Sequence, residues 1–157
     1  MANDTTTQDP ALRRAVAADA ALVQAVTRAA YAKWVPLIGR EPLPMRADYE
    51  VAVRDHWVDL LEVAGEVVAL IETVPAADHL LIENVAVMPG SQERGHGTRL
   101  MAHAEGLARE LGVGEMRLYT NRVFAGNVAL YLRLGYRIDR EEPIQGGVAV
   151  YMSKRLG

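Results

Sequence analysis

The run Ile82-Glu83-Asn84-Val85-Ala86-Val87 ends at Met88-Pro89 and is followed by Gln92-Glu93-Arg94-Gly95-His96-Gly97-Thr98. This order constrains the fold more than any other stretch. It predicts a buried strand, a short loop rich in backbone N–H groups, and a helix beginning at Gly97 or Thr98. A helix start carries unpaired N–H groups and a partial positive charge, so it holds a phosphate without needing a basic side chain. Gly95 and Gly97 carry no Cβ and let a ligand approach the main chain. The element therefore predicts an anion cradle, suited to a cofactor with a diphosphate. No Gly-Lys-Ser/Thr follows, which separates it from Walker-type sites. The Gly-x-Gly-x-x-Gly spacing of a dinucleotide fold is also absent.

The remaining segments place this element in a mixed α/β chain. Residues 1–10 are polar and read as a disordered leader, without the basic start and apolar run of a signal peptide. Ala11 to Ala17 reads as an opening strand. Asp19 stands at a helix cap before an Ala-rich helix from Ala20 to about Lys33. Pro36, Gly39, Pro42 and Pro44 break regular structure and predict a shaped loop, and a short helix follows from Ala47 to Arg54. His56–Val63 and Val67–Glu72 form a hairpin turning at Ala64-Gly65. A strand from His79 to Val87 comes next, then a helix from Thr98 to Leu111 and a strand Met116–Thr120. The last elements are the segment Asn127–Tyr136 and strands at Tyr136–Ile138 and Val148–Met152.

The chain has 157 residues, enough for one domain over residues 11–157 with a sizeable core. Its net charge of −3 argues against nucleic acid as a generic partner. With no cysteine there is neither a thiolate metal site nor a cysteine nucleophile. His56, His79, His96 and His103 show no metal-ligand spacing, so no metal is expected. No apolar run reaches membrane-spanning length, and a cytoplasmic location is the expectation.

Taken in order, these pieces resemble the GNAT family of N-acetyltransferases, strongly from about Leu81 onward. The family's Gln/Arg-x-x-Gly-x-Gly/Ala motif stands here as Gln92-Glu93-Arg94-Gly95-His96-Gly97. A second match is Asn-x-x-x-Tyr-x-x-x-Gly-Tyr at Asn127, Tyr131, Gly135 and Tyr136. The resemblance implies a mixed, largely antiparallel sheet of about seven strands with about four helices. It also implies acetyl-CoA as co-substrate, an amine or peptide acceptor, and a homodimer. Two departures are Glu93, where many members have Gly, and Phe124, where many have an Asn seven residues before the Tyr.

By that resemblance, backbone groups of Val85, Ala86 and Val87 hold the pantetheine arm and the thioester carbonyl. The diphosphate falls to Gln92, Glu93, Arg94, Gly95, His96, Gly97 and Thr98, with Asn127 adding an amide. Tyr131 is the expected acid: a phenol with a reference pKa of about 10 keeps its proton at neutral pH. Its other reading is a core aromatic. Glu83, in an apolar strand, is the candidate base, because partial burial raises a carboxyl pKa; an ion-paired surface role is the alternative. Glu72 and Glu62 follow behind it. Tyr31, Trp34, Tyr49 and the loop Val35–Met45 are candidates to wall the acceptor site, with plain packing the simpler account of Tyr31. Acetyl transfer to an amine nitrogen is the expected function. A non-catalytic acyl-CoA sensor of the same fold, or transfer of a longer acyl group, are the alternatives.

Overall fold

The computed structural model describes residues 9–157, so residues 1–8 of the expected leader lie outside it. Its seven strands are β1 (Ala11–Arg14), β2 (Trp57–Val63), β3 (Glu66–Pro75), β4 (Leu80–Val87), β5 (Glu115–Asn121), β6 (Arg137–Ile144) and β7 (Gly147–Arg155). They form one sheet in the order β1-β2-β3-β4-β5-β7-β6. Every pairing is antiparallel except β4 with β5. That parallel pair is where a crossover helix is required, and α5 (His96–Leu111) supplies it. The turn between β2 and β3 places Ala64 and Gly65 at φ 54° and 83°. This left-handed pair matches the strand twist of a tight hairpin.

Helices cover both faces. On one face, α5 packs Leu100, Met101, Ala104 and Ala108 onto Leu61, Ile71 and Met116. Tyr131, from α6 (Ala125–Arg133), joins that layer. On the other face, α1 (Ala20–Tyr31) and α4 (Tyr49–Asp55) pack Val23, Val26, Tyr49 and Ala52 onto Val58, Leu60 and Leu70.

The expected loop after α1 is more ordered than its prolines suggest. It holds two single-turn helices, α2 (Val35–Ile38) and α3 (Leu43–Arg46), each with Pro in its first turn. Proline lacks an N–H, and a first turn needs none, so the same residue that breaks one helix begins another. The opening strand stops at Arg14, short of Ala17. Asp19 stands at the start of α1, but its side chain accepts from Val16 N–H (2.8 Å) and Arg13 rather than capping α1. Asp48 is the true cap here, accepting from Glu50 and Val51 N–H at the head of α4. No helix among the described residues is long and apolar enough to cross a membrane.

Candidate functional site

The site begins with a break in strand pairing. β4 pairs with β5 only at Leu80–Ile82 against Met116–Leu118. Opposite β3 the register shifts between Glu72 and Thr73, because Glu72 faces Asn84 while Thr73 faces Ile82. Glu83 is therefore the extra residue of a β-bulge, and a bulge bends its strand and ends regular pairing. Beyond it the edge of β4 is free of β5. Ala86 faces Leu70 and Met88 N–H bonds to Val68 O, so the alternation of the ladder turns Val85 and Val87 outward. Tyr31 donates to Val85 O (3.4 Å) and Gln92 Nε2 donates to Val87 O (3.1 Å). Ala86 departs from expectation: its backbone belongs to the pair with β3 and its side chain is buried in the opposite layer.

A cleft of about 420 Å³ lies along this open edge. Val85 and Val87 form its floor, and the start of α5 closes one end. Gly95 takes φ 81°, a conformation in which any L-residue is strained. The first helical bond of α5 joins Arg99 N–H to Gly95 O, so the N–H groups of His96, Gly97 and Thr98 precede the ladder. No side chain caps this end and no acidic residue lies in its first turn. The helix dipole is thus left open toward the cleft, where an anion completes it. A Cβ on Gly97 would meet only Leu130 Cδ2 at 3.6 Å, so nothing in the protein itself demands glycine there. Glu93 lies at φ 64°, the region where the family's usual Gly sits without strain, and it is solvent-exposed. Arg94 is exposed and stands away from the cleft lining. Gln92 holds the loop, since its amide also accepts from Lys33 Nζ at 2.9 Å.

α6 supplies the far wall with Asn127, Leu130, Tyr131 and Arg133. Tyr131 is 7% exposed, and burial pushes its phenol up to about 12. Lys33 and Arg133 bring positive charge to the rim, and neither carries a motif that sequence reading could use. Trp34 lies against Phe124, with ring centroids 4.9 Å apart, and lines this cleft rather than an acceptor site.

A second cavity of about 580 Å³ meets the first at Tyr31, which lines both. Its walls come from α3, α4, the parted stretches of β4 and β5, and the β6–β7 hairpin. Tyr49 lines it; Glu72, Glu83, His56 and Tyr119 form its polar part. Glu72 is 4% exposed and meets His56 Nδ1 at 2.5 Å. Burial first, and the nearby Glu72 carboxylate second, push the Glu83 carboxyl above the usual range. Burial likewise raises Tyr31 and Tyr49, which keep their protons. Among the described residues no cluster of three His, Cys, Asp or Glu is arranged to hold a metal.

One organising residue escaped sequence reading. Asn84 is 3% exposed and accepts from Tyr31 O–H at 3.1 Å. Its amide nitrogen donates to Thr27 Oγ1 (3.2 Å) and Tyr49 Oη (3.3 Å). It fastens α1 and α4 to β4 at the point where the two cavities touch. An amide inside an otherwise apolar strand is the signal that could have found it.

Comparison with known proteins bears on the family and the fold. The model of the Acetyltransferase (GNAT) family matches residues 23–136. Streptothricin acetyltransferase of Streptomyces lavendulae is 40% identical over 57 residues, 36% of this chain and 30% of that protein. The matched segment thus spans under a third of that relative. A coenzyme A complex of the PaiA N-acetyltransferase from Thermoplasma acidophilum superposes with a TM-score of 0.80 at 17% identity, covering 94% of this chain and 99% of that one. The ribosomal-protein-S18-alanine N-acetyltransferase from Escherichia coli gives 0.77 at 20% identity, covering 95% of each chain. With the model match spanning most of its length and the fold shared, this chain belongs to the GNAT family of acetyltransferases.

Proposed function

We infer that this protein transfers an acetyl group from acetyl-CoA to the nitrogen of an amine. One observation carries the reading: the parting of β4 from β5 joins an uncapped helix start, an open strand edge and a buried phenol in one cleft. The cleft fits the cofactor, since the N–H groups of His96, Gly97 and Thr98 offer an unfilled cradle to the diphosphate. Lys33 and Arg133 balance its charge from the rim. Bound acetyl-CoA supplies an activated acetyl thioester. The outward N–H groups of Val85 and Val87 orient the arm, and one aimed at the carbonyl favours the charge that develops there.

Glu83 takes a proton from the acceptor's ammonium, which frees the nitrogen lone pair for attack at the carbonyl carbon. The C–S bond then breaks, and the attacking nitrogen passes its second proton to solvent as the amide forms. Tyr131 offers its O–H to the leaving sulfur. Full transfer of that proton is uphill by about 3 to 4 pKa units, given a thiol reference near 8.5, so its contribution is a donated hydrogen bond and solvent completes the protonation. Orientation of both substrates across Tyr31 supplies the remainder of the rate advantage. The name of the 40%-identical relative makes streptothricin the first acceptor to try.

Calorimetric titration with acetyl-CoA tests the reading. Gly97→Ala should keep or slightly raise thermal stability, as Ala outranks Gly in a helix by about 0.5–1 kcal/mol. Its acetyl-CoA affinity should fall about tenfold or more, because the new Cβ stands between backbone and ligand. Absence of binding by the unmodified protein would sink the reading. Binding without transfer to any amine would favour the sensor instead.

The Glu83 role carries a pH signature. A base with a raised pKa becomes active only as pH climbs past the ordinary carboxylate range. The kcat profile should therefore rise through that higher pKa. Glu83→Gln should remove this limb and lower kcat about a hundredfold; an unchanged profile would clear Glu83 of the role.

A further inference from the structure

We propose that the second cavity selects acceptors whose reacting nitrogen is a protonated alkylamine without a neighbouring carboxylate, and that Glu72 sets this choice. The inference rests on the acetyltransferase reading and adds the acceptor class to it.

The cavity wall separates by chemistry. Its inner part holds two carboxylates, Glu72 on β3 and Glu83 on the bulge of β4, beside the phenols of Tyr49 and Tyr119. Its outer part is aliphatic, with Ile38, Leu43, Val51 and Ile144. An alkyl chain ending in an ammonium matches that order: the charge meets carboxylates and ring faces, and the stem lies on apolar surface. Two basic side chains also line the cavity. Arg40 lies at the mouth, donating to Gln145 Oε1 at 2.8 Å and Gln145 O at 3.3 Å. His56 is bound to one oxygen of Glu72. Arg40 keeps its charge on the neutral Gln145 but is exposed at the mouth, so the inner part of the lining holds no basic side chain except His56, itself held by Glu72.

Glu72 is the sharper of the two determinants. It is 4% exposed, and a carboxylate is costly to bury without partners. His56 bonds Glu72 Oε2, and no hydrogen-bond partner of Oε1 is found among the described residues. A substrate ammonium completes this set. A zwitterion would bring a second carboxylate against Glu72 and Glu83 at low dielectric, where like charges repel strongly.

The test uses norleucine and pentylamine, its decarboxylated counterpart, both ammonium ions at neutral pH and differing by one carboxylate, together with aniline, which is uncharged there. Thiol release from acetyl-CoA is followed with each. Pentylamine should exceed norleucine in kcat/KM by at least about tenfold, and aniline should be the poorest acceptor. Glu72→Gln should narrow the first ratio at least about threefold while acetyl-CoA affinity by calorimetry stays the same. Because the wild-type ratio needs no variant, the inference is exposed even if Glu72→Gln folds poorly. Acetyl-CoA binding with norleucine or aniline preferred, or with transfer to other amines but none to pentylamine, overturns this inference alone. Failure to bind acetyl-CoA removes the acetyltransferase reading along with it.

Discussion

Tyr131→Phe should lower kcat about a hundredfold while leaving acetyl-CoA affinity and the fold nearly untouched. The ring of Tyr131 packs beside Tyr136, with centroids 6.1 Å apart, and phenylalanine keeps that contact. Only the hydroxyl is lost. No protein partner of the hydroxyl is found among the described residues, so its loss costs the fold under about 1 kcal/mol. A phenol held near 12 by burial is a weak acid but an undiminished hydrogen-bond donor. In the proposed reaction its value therefore lies where negative charge collects on the departing sulfur. An interaction made only as the bond breaks appears in kcat and not in ground-state binding. Steady-state thiol release, paired with calorimetry on the same preparation, separates the two. Equal kcat in both proteins would return Tyr131 to the role of a core aromatic.

What was legible in the sequence was local. The run into Gly95 and Gly97 specifies strand, turn and helix from contiguous residues, and the structure places each element within a few positions of the reading. Most strands were also recoverable from apolar runs and bounding turns, but β6 is exposed along its whole length and extends to Ile144, well past the Tyr136–Ile138 expected. The bulge at Glu83 was not legible. Strict alternation would put Ile82, Asn84 and Ala86 on one face. The extra residue sends Ile82 to the α5 layer, and Ala86 and Asn84 to the α1 side. Whether a strand carries a bulge depends on its partner's register, which no single segment records.

The site divides along the same line. The glycine loop and Tyr131 were picked out by motifs and line the first cleft together, whereas Trp34, expected beside Tyr49, does not share its cavity. Trp34 belongs to the first cleft, because the chain after α1 continues as a turn of 3-10 helix through Ala32–Trp34 and carries the indole onto Phe124. His56 and Glu72 meet across sixteen positions of sequence, through the pairing of β2 with β3. Such contacts follow from tertiary geometry alone.

Asn84→Ala should destabilise the protein by about 2–4 kcal/mol, from lost hydrogen bonds and a new void together. The three partners do not suffer equally. Tyr49 keeps a 2.6 Å bond to Pro44 O, and Tyr31 keeps its longer contact with Val85 O. Thr27 Oγ1, fully buried, loses the donor that Asn84 supplies. For a chain of this size the loss corresponds to a fall in Tm on the order of 5–15 °C. A second effect distinguishes this site from an ordinary core position. Asn84 fixes Tyr31, the wall between the two cavities, and Tyr49, which lines the acceptor side. Loosening both should raise the acceptor KM more than the acetyl-CoA Kd. Thr27→Val, which removes one partner only, should cost about 1 kcal/mol. The double variant should then lose less than the sum of the two, since both report on the same bond. Additive losses, or a loss below about 0.5 kcal/mol for Asn84→Ala, would mean that α1 is held to the sheet by its apolar face alone.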